Sequence, residues 1–199
     1  MFEAGVIDLF FFAATTPADL MNEFTQLTSR PMLPAFFSLG YHQSRWNYLD
    51  EKDCHDVNDK FEELNFPYDV LWLDIEHTVG KKYFTWDKNN FPHPDDLIAY
   101  LAAHGHKLVT IVDPHVKKEA GYRVNDELKQ KDYFLKTASG EIFEGWCWPG
   151  ASNYPACTNP AVRAWWSDQF SNGLYEGSND NMYTWNDMNE VCVGCCHDV

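Results

Sequence analysis

The sequence predicts an α/β protein made of parallel strand and helix units, and three observations carry that expectation. From Pro34 onward, short apolar runs alternate with helix-like stretches, which is the pattern of βαβ units. Three of those runs finish on an acid followed by a polar loop: Asp74 in LWLDIEH, Asp113 in TIVDPH and Asp187 in TWNDMNE. Finally, 199 residues with 45% apolar and 16% aromatic content are ample for one packed domain or part of a larger one.

The elements follow in order. MFEAGVIDLFFFAA is the most apolar run, but it carries Glu3 and Asp8, lacks a basic leader and is far shorter than a membrane span. The expectation is a buried strand over residues 5–13, with neither signal peptide nor membrane anchor. Thr16-Pro17 reads as cap and first helical position of PADLMNEFTQLTS, a helix ending before Arg30-Pro31. The alternation then runs as a first strand over Ala35–Gly40, a helix over Glu51–Leu64 after Asp50, and a second strand over Asp69–Ile75. A helix over Pro94–Ala103, stopped by Gly105, leads to a third strand over Lys107–Val112. A helix over Val124–Lys131 and a hairpin, YFLKT then EIFEGW turning at Ser139-Gly140, interrupt the series. Asn159-Pro160 opens the helix PAVRAWWSDQF, and Met182–Trp185 is the fourth strand.

Charge narrows the ligand. The formal net charge is −15, from 15 Lys+Arg against 30 Asp+Glu, which argues against nucleic acid because phosphate binding needs clustered cations. Neutral sugars suit a chain rich in both acids and tryptophans, since carboxylates accept hydroxyl hydrogen bonds and aromatic faces pack on a pyranose. Parallel strands deliver their carboxyl ends to one side, so Asp74, Asp113 and Asp187 would converge there in a TIM barrel or a doubly wound sheet alike. Any one of the three could instead cap the element that follows it.

The octet YTWNDMNE resembles the nucleophile signature of glycoside hydrolase family 31, the retaining α-glucosidases. FFSLGYHQSRWNY, DVLWLDIEH, YFTWDKNNFPHP, KLVTIVDPH, GYRVNDEL, EGWCWPG and TNPAVRAWW occur in the order of that family, so the resemblance covers nearly the whole chain. It implies that residues 31–190 form the first half of a catalytic TIM barrel, and that residues 1–30 are the end of an N-terminal β-sandwich domain with a connecting helix. Residues 191–199 read as a tail foreign to the family, which continues Asn-Glu-Pro-Ser where this chain has Glu190-Val191-Cys192. A closed barrel needs eight strands and typically about 250 residues, so the barrel is expected to be incomplete.

The resemblance makes Asp187 the nucleophile and builds the sugar pocket from Trp46, Asp74, Ile75, Ile111, Trp148, Trp185 and Met188. Glu190 receives an orienting role, because two acids three residues apart on one loop do not flank a sugar from opposite sides. The acid/base of the double displacement is expected on a later strand, beyond Val199. Asp113 is expected to hold loops together below the pocket, His115 to be structural, and Trp72, Trp165 and Trp166 to lie in the core. The implied substrate is an α-glucoside or N-glycan, the implied partner a non-catalytic β subunit, and the implied compartment the lumen of the endoplasmic reticulum. No cofactor is expected. No metal is expected either, since Cys192, Cys195, Cys196 and His197 lack a second ligand pair at finger spacing. Cys54, Cys147 and Cys157 give no disulfide framework. The alternative is an inactive product that binds carbohydrate or a partner without turnover.

Overall fold

The computed structural model describes residues 6–190, so the tail at 191–199 and its cysteine and histidine cluster lie outside the described residues. The chain divides into two compact units, 1–35 and 36–199. In the first unit, α1 (Pro17–Thr28) starts as expected: the Thr16 hydroxyl accepts from the Asp19 N–H at 3.2 Å and Pro17 takes the first helical position. Phe12 meets Phe24 of this helix edge-on at 5.6 Å. Of the strand expected over residues 5–13, the described part, residues 6–13, carries no ladder partner among the described residues. A strand exists only against a neighbour that takes its N–H and C=O groups, and Val6 stays 92% exposed.

The second unit is built on a four-stranded parallel sheet of order β1-β2-β3-β7: β1 (His42–Arg45), β2 (Val70–Leu73), β3 (Lys107–Val112) and β7 (Met182–Asn186). The order follows the chain without reversal. That is the wall of a barrel, whereas a doubly wound sheet reverses at its switch point. Helices α2 (Glu51–Glu63), α3 (Pro94–Ala103), α4 (Arg123–Gln130) and α5 (Pro160–Asp168) agree with expectation to within two residues at each end. Asp50 caps α2 at 2.7 Å and Asn159 caps α5 at 2.9 Å, satisfying first-turn N–H groups that the helix itself cannot.

The core lies on the helix side of the sheet. Leu71 and Leu73 of β2 and Leu108 and Val112 of β3 join Leu97, Ile98 and Leu101 of α3 in one buried cluster. Period two leaves Trp72, Val109 and Tyr183 on the opposite face, at one level of the register.

One of these expectations needs correction and another needs extension. The first strand is not Ala35–Gly40: Phe36–Leu39 is a 3₁₀ turn and the strand begins at His42. The apolar run FFSL looked like a core strand, while the true strand HQSR is polar because it sits at the edge of the sheet. The hairpin at Ser139-Gly140 does form, through the Lys136–Ile142 bridge and the bonds Thr137 N–H to Glu141 O and Phe143 N–H to Leu135 O, but it is short. Its second arm runs on into β5 (Glu144–Cys147), which pairs with β6 (Gly150–Asn153), and β6 pairs in turn with β4 (Val116–Lys117). This antiparallel sheet, inserted after β3, places Trp148 at the β5–β6 turn.

Gly177 locks the approach to β7. Its φ is +73°, and a Cβ there would fall 2.6 Å from Pro94 Cγ and 2.9 Å from Trp86 Nε1, the nitrogen that donates to the Glu176 carbonyl. Replacing Gly177 by Ala should destabilise the protein by about 2–3 kcal/mol through left-handed strain and overpacking. The urea midpoint measures this, and an unchanged midpoint would refute the packing described.

Candidate active site

Register alone assembles the site. His42 pairs with Val70, Leu73 with Thr110, and Ile111 with Trp185. Counting on by twos along the inward face puts Trp46, Asp74, Ile111 and Trp185 at one level, and Asp113 beside Asp187 one level further out. Trp46, Asp74, Ile75, Ile111, Trp148, Trp185 and Asp187 line a single cavity of about 150 Å³. Two of the expected site residues are not in its wall. Met188 follows Asp187 with a left-handed φ of +50°, turning the chain away after the acid, and Glu190 is exposed on the same loop.

Each wall residue is held by an identifiable contact. Asp74 Oδ1 accepts the Ile75 N–H at 2.7 Å and so caps the short turn Ile75–His77, leaving Oδ2 for another donor. Capping and ligand binding are therefore compatible roles for this carboxyl. Burial pushes Asp74 above the usual carboxylate range, the Ile75 N–H opposes that shift, and Asp187 and Glu76 add to it. The alternative of an ion pair between Asp74 and Lys81 or Lys82 is not seen among the described residues, and the Lys82 ammonium sits 2.6 Å from Glu119. Beneath the turn, the fully buried His77 donates Nδ1–H to the Asp74 carbonyl at 2.7 Å, and burial holds its pKa down at about 4.

The aromatic walls differ in rigidity. Trp46 is 53% exposed and is tied down by an indole hydrogen bond to Glu76 Oε1 at 3.0 Å. Trp185 is met edge-on at 5.3 Å by Trp72, whose indole donates to His42 Nδ1 at 2.9 Å. Trp72 thus departs from expectation: it is half-buried on the inward face under the cavity, outside the helix-packed core. Trp165 and Trp166 do pack against that core, Trp166 edge-on to Phe84 at 5.5 Å.

The sequence reading missed Tyr83. From the loop after β2, its hydroxyl donates to Asp113 Oδ2 and lies 2.8 Å from His115 Nε2. This bond ties the loop after β2 to the end of β3, the loop-holding role expected for Asp113, but beside the cavity wall and not below it. The segment YFTWD carried no spacing that singles out Tyr83. The only available signal was the acid at a strand end, which needs a donor once buried. Burial raises the Tyr83 phenol, Asp113 adding to the shift, so the residue stays a neutral donor.

A parallel barrel-wall sheet whose strands end in carboxyls beside three tryptophans has the layout of an α/β-barrel site, at the carboxyl ends of the strands. The chain belongs to glycoside hydrolase family 31: the family model described as "Glycosyl hydrolases family 31 TIM-barrel domain" matches residues 31–199. It is similar to neutral alpha-glucosidase AB of Mus musculus, 52% identical over 193 residues that cover 97% of this chain and 20% of that protein. Among solved structures it resembles the ER glucosidase II complex of catalytic subunit and regulatory-subunit binding domain, with TM-score 0.86, 51% identity, and coverage of 88% of this chain and 19% of that one. A glucosidase II alpha subunit structure bound to alpha3-Glc2 matches with TM-score 0.84 and 51% identity, covering 86% of this chain and 19% of that one. The chain thus spans about a fifth of the length of these relatives.

Removing the Tyr83 hydroxyl should cost about 1–3 kcal/mol, because Tyr83→Phe strands the Asp113 carboxyl and the His115 ring in a dry site. Urea unfolding of Tyr83→Phe beside the parent protein checks this. Equal midpoints would mean that the hydroxyl contributes nothing there.

Proposed function

We propose that this chain supplies the nucleophile and most of the sugar-binding wall of a retaining exo-α-glucosidase that removes terminal α-linked glucose from N-glycans. The observation that carries the reading is the single cavity around Asp187, lined by seven of the residues that the family resemblance assigns. In this reading Asp187 attacks the anomeric carbon to form a glycosyl-enzyme, and a second carboxylic acid, about 5 Å away in retaining enzymes, protonates the leaving oxygen. That acid belongs to a later strand of the barrel. Asp74 accepts hydroxyl hydrogen bonds through Oδ2, while Trp46, Trp148 and Trp185 pack on the apolar faces of the ring and exclude water. Met188 and Glu190 shape the loop that carries the nucleophile.

The partition is then residues 1–30 as the end of a preceding domain and residues 31–190 as barrel. The names of the relatives support work in the endoplasmic reticulum beside a regulatory subunit. Nothing in the mechanism calls for a cofactor.

The experiment is hydrolysis of an aryl α-glucoside by the full-length protein, with the product anomer read by NMR. The first-formed product should be the α-anomer, and Asp187→Asn should lose roughly 10⁴-fold or more in kcat. A β-anomer product, or an active Asp187→Asn protein, would overturn the reading; binding without turnover would favour a carbohydrate-binding role instead. Asp74→Asn should lower kcat/KM roughly 10–100-fold, chiefly through KM, because it weakens a charge-assisted bond made in ground state and transition state alike. Unchanged constants would make Asp74 only a cap.

A further inference from the structure

The double displacement uses Asp187 and an acid/base, but besides Asp74 a further carboxyl is buried next to the same site, behind the cavity wall. Asp113 is 0% exposed, and the register places it next to Asp187 on the inward face of the sheet. Its two oxygens differ. Oδ2 accepts from the Tyr83 hydroxyl, while Oδ1 is shut off from solvent and has no hydrogen-bond partner among the described residues. A buried oxygen left bare is costly in either form, and far more so when it carries charge than when it carries a proton.

The surroundings favour that proton. Tyr83 meets Asp113 from the loop after β2, and Asp187 and Glu190 after β7 and Asp74 at the end of β2 add like charge around it. His115, on Asp113's own segment, lies 3.5 Å from Oδ2. No cation stands among these groups, since burial holds His115 down at about 4. Behind Tyr83 lie Cys147 and Tyr122, both without positive charge. Carboxyls crowded into one site cannot all ionise, and the proton settles where burial is deepest. Asp113 is more buried than Asp74, Asp187 or Glu190, and burial, followed by its acidic neighbours, pushes it up to about 7 against the Tyr83 bond.

We propose that Asp113 is a positioning residue for the reaction at Asp187: locked by Tyr83 and His115, it works as a neutral carboxyl that holds the shared proton of the cluster on Oδ1. Asp187 and Asp74 are thereby left as carboxylates, one to attack and one to bind hydroxyls. When Asp113 ionises, a buried charge with a bare oxygen appears beside both and raises the cost of keeping them ionised. The inference rests on Asp187 being the nucleophile.

The test is the pH profile of kcat/KM on α-glucosyl fluoride in the full-length protein. Fluoride leaves with little protonation, so the profile reads the nucleophile side of the site and not the acid/base. The parent protein should lose activity as pH rises through about 7. Asp113→Asn, which is neutral at every pH and can both accept from Tyr83 and donate, should lack that alkaline fall and should far exceed Asp113→Ala at pH 6. An Asp113→Asn protein as impaired as Asp113→Ala, or one with the parent's profile, overturns the proposal. If Asp113→Asn does not fold, Tyr83→Phe carries the test: losing a bond that stabilises the anion should move the alkaline fall to higher pH, and an unmoved fall overturns the proposal. An active Asp187→Asn protein would sink the functional reading itself. An inactive one with failed Asp113 outcomes sinks this inference alone.

Discussion

The parallel register of β1, β2, β3 and β7 is the constraint on which the rest depends. A slip of one residue in any strand would turn its inward set toward the helices, exchanging Asp74 for Leu73 or Asp187 for Asn186. The register is pinned from the other side: Leu71, Leu73, Leu108 and Val112 must reach the helix-packed core. Hydrophobic burial on one face therefore aims the carboxyls on the other. The stability of the core and the geometry of the site are one arrangement, seen from opposite faces of the sheet.

Crowding acids at strand ends has an electrostatic cost, and the structure distributes it. Asp74 is relieved by a backbone N–H and partial exposure. Asp113 is buried without solvent, accepts from the Tyr83 hydroxyl and has His115 Nε2 3.5 Å from the same oxygen. Similar acids at neighbouring strand ends thus acquire different chemistry from depth and donors alone. The inserted sheet contributes shape: its β5–β6 turn brings Trp148 to the cavity from a part of the chain that no barrel strand reaches.

Legibility in the sequence followed the strength of local signals. Caps with a partner three residues on, such as Asp50 and Asp53, or with a following Pro, such as Thr16 and Asn159, located helix starts closely. The β3 run KLVTIV was legible because both its faces are covered. β1 was not, because HQSR has no apolar run, and the neighbouring FFSL offered a false one. The antiparallel insert was obscured for a related reason: GASN in β6 is small and polar, so its pairing with EGWC could not be read from periodicity. Family resemblance supplied the cavity residues, but Tyr83 and the inward position of Trp72 depend on tertiary contacts that leave no local mark.

The central claim is that the register makes Asp187 the reacting carboxyl and its acidic neighbours supporting ones. Covalent labelling with a mechanism-based α-glucosyl inhibitor, followed by peptide mapping of the full-length protein, tests it most directly. The account predicts one modified carboxyl, in the peptide containing Tyr183 to Glu190, at Asp187. Label on Asp74, Asp113 or Glu190 would contradict it.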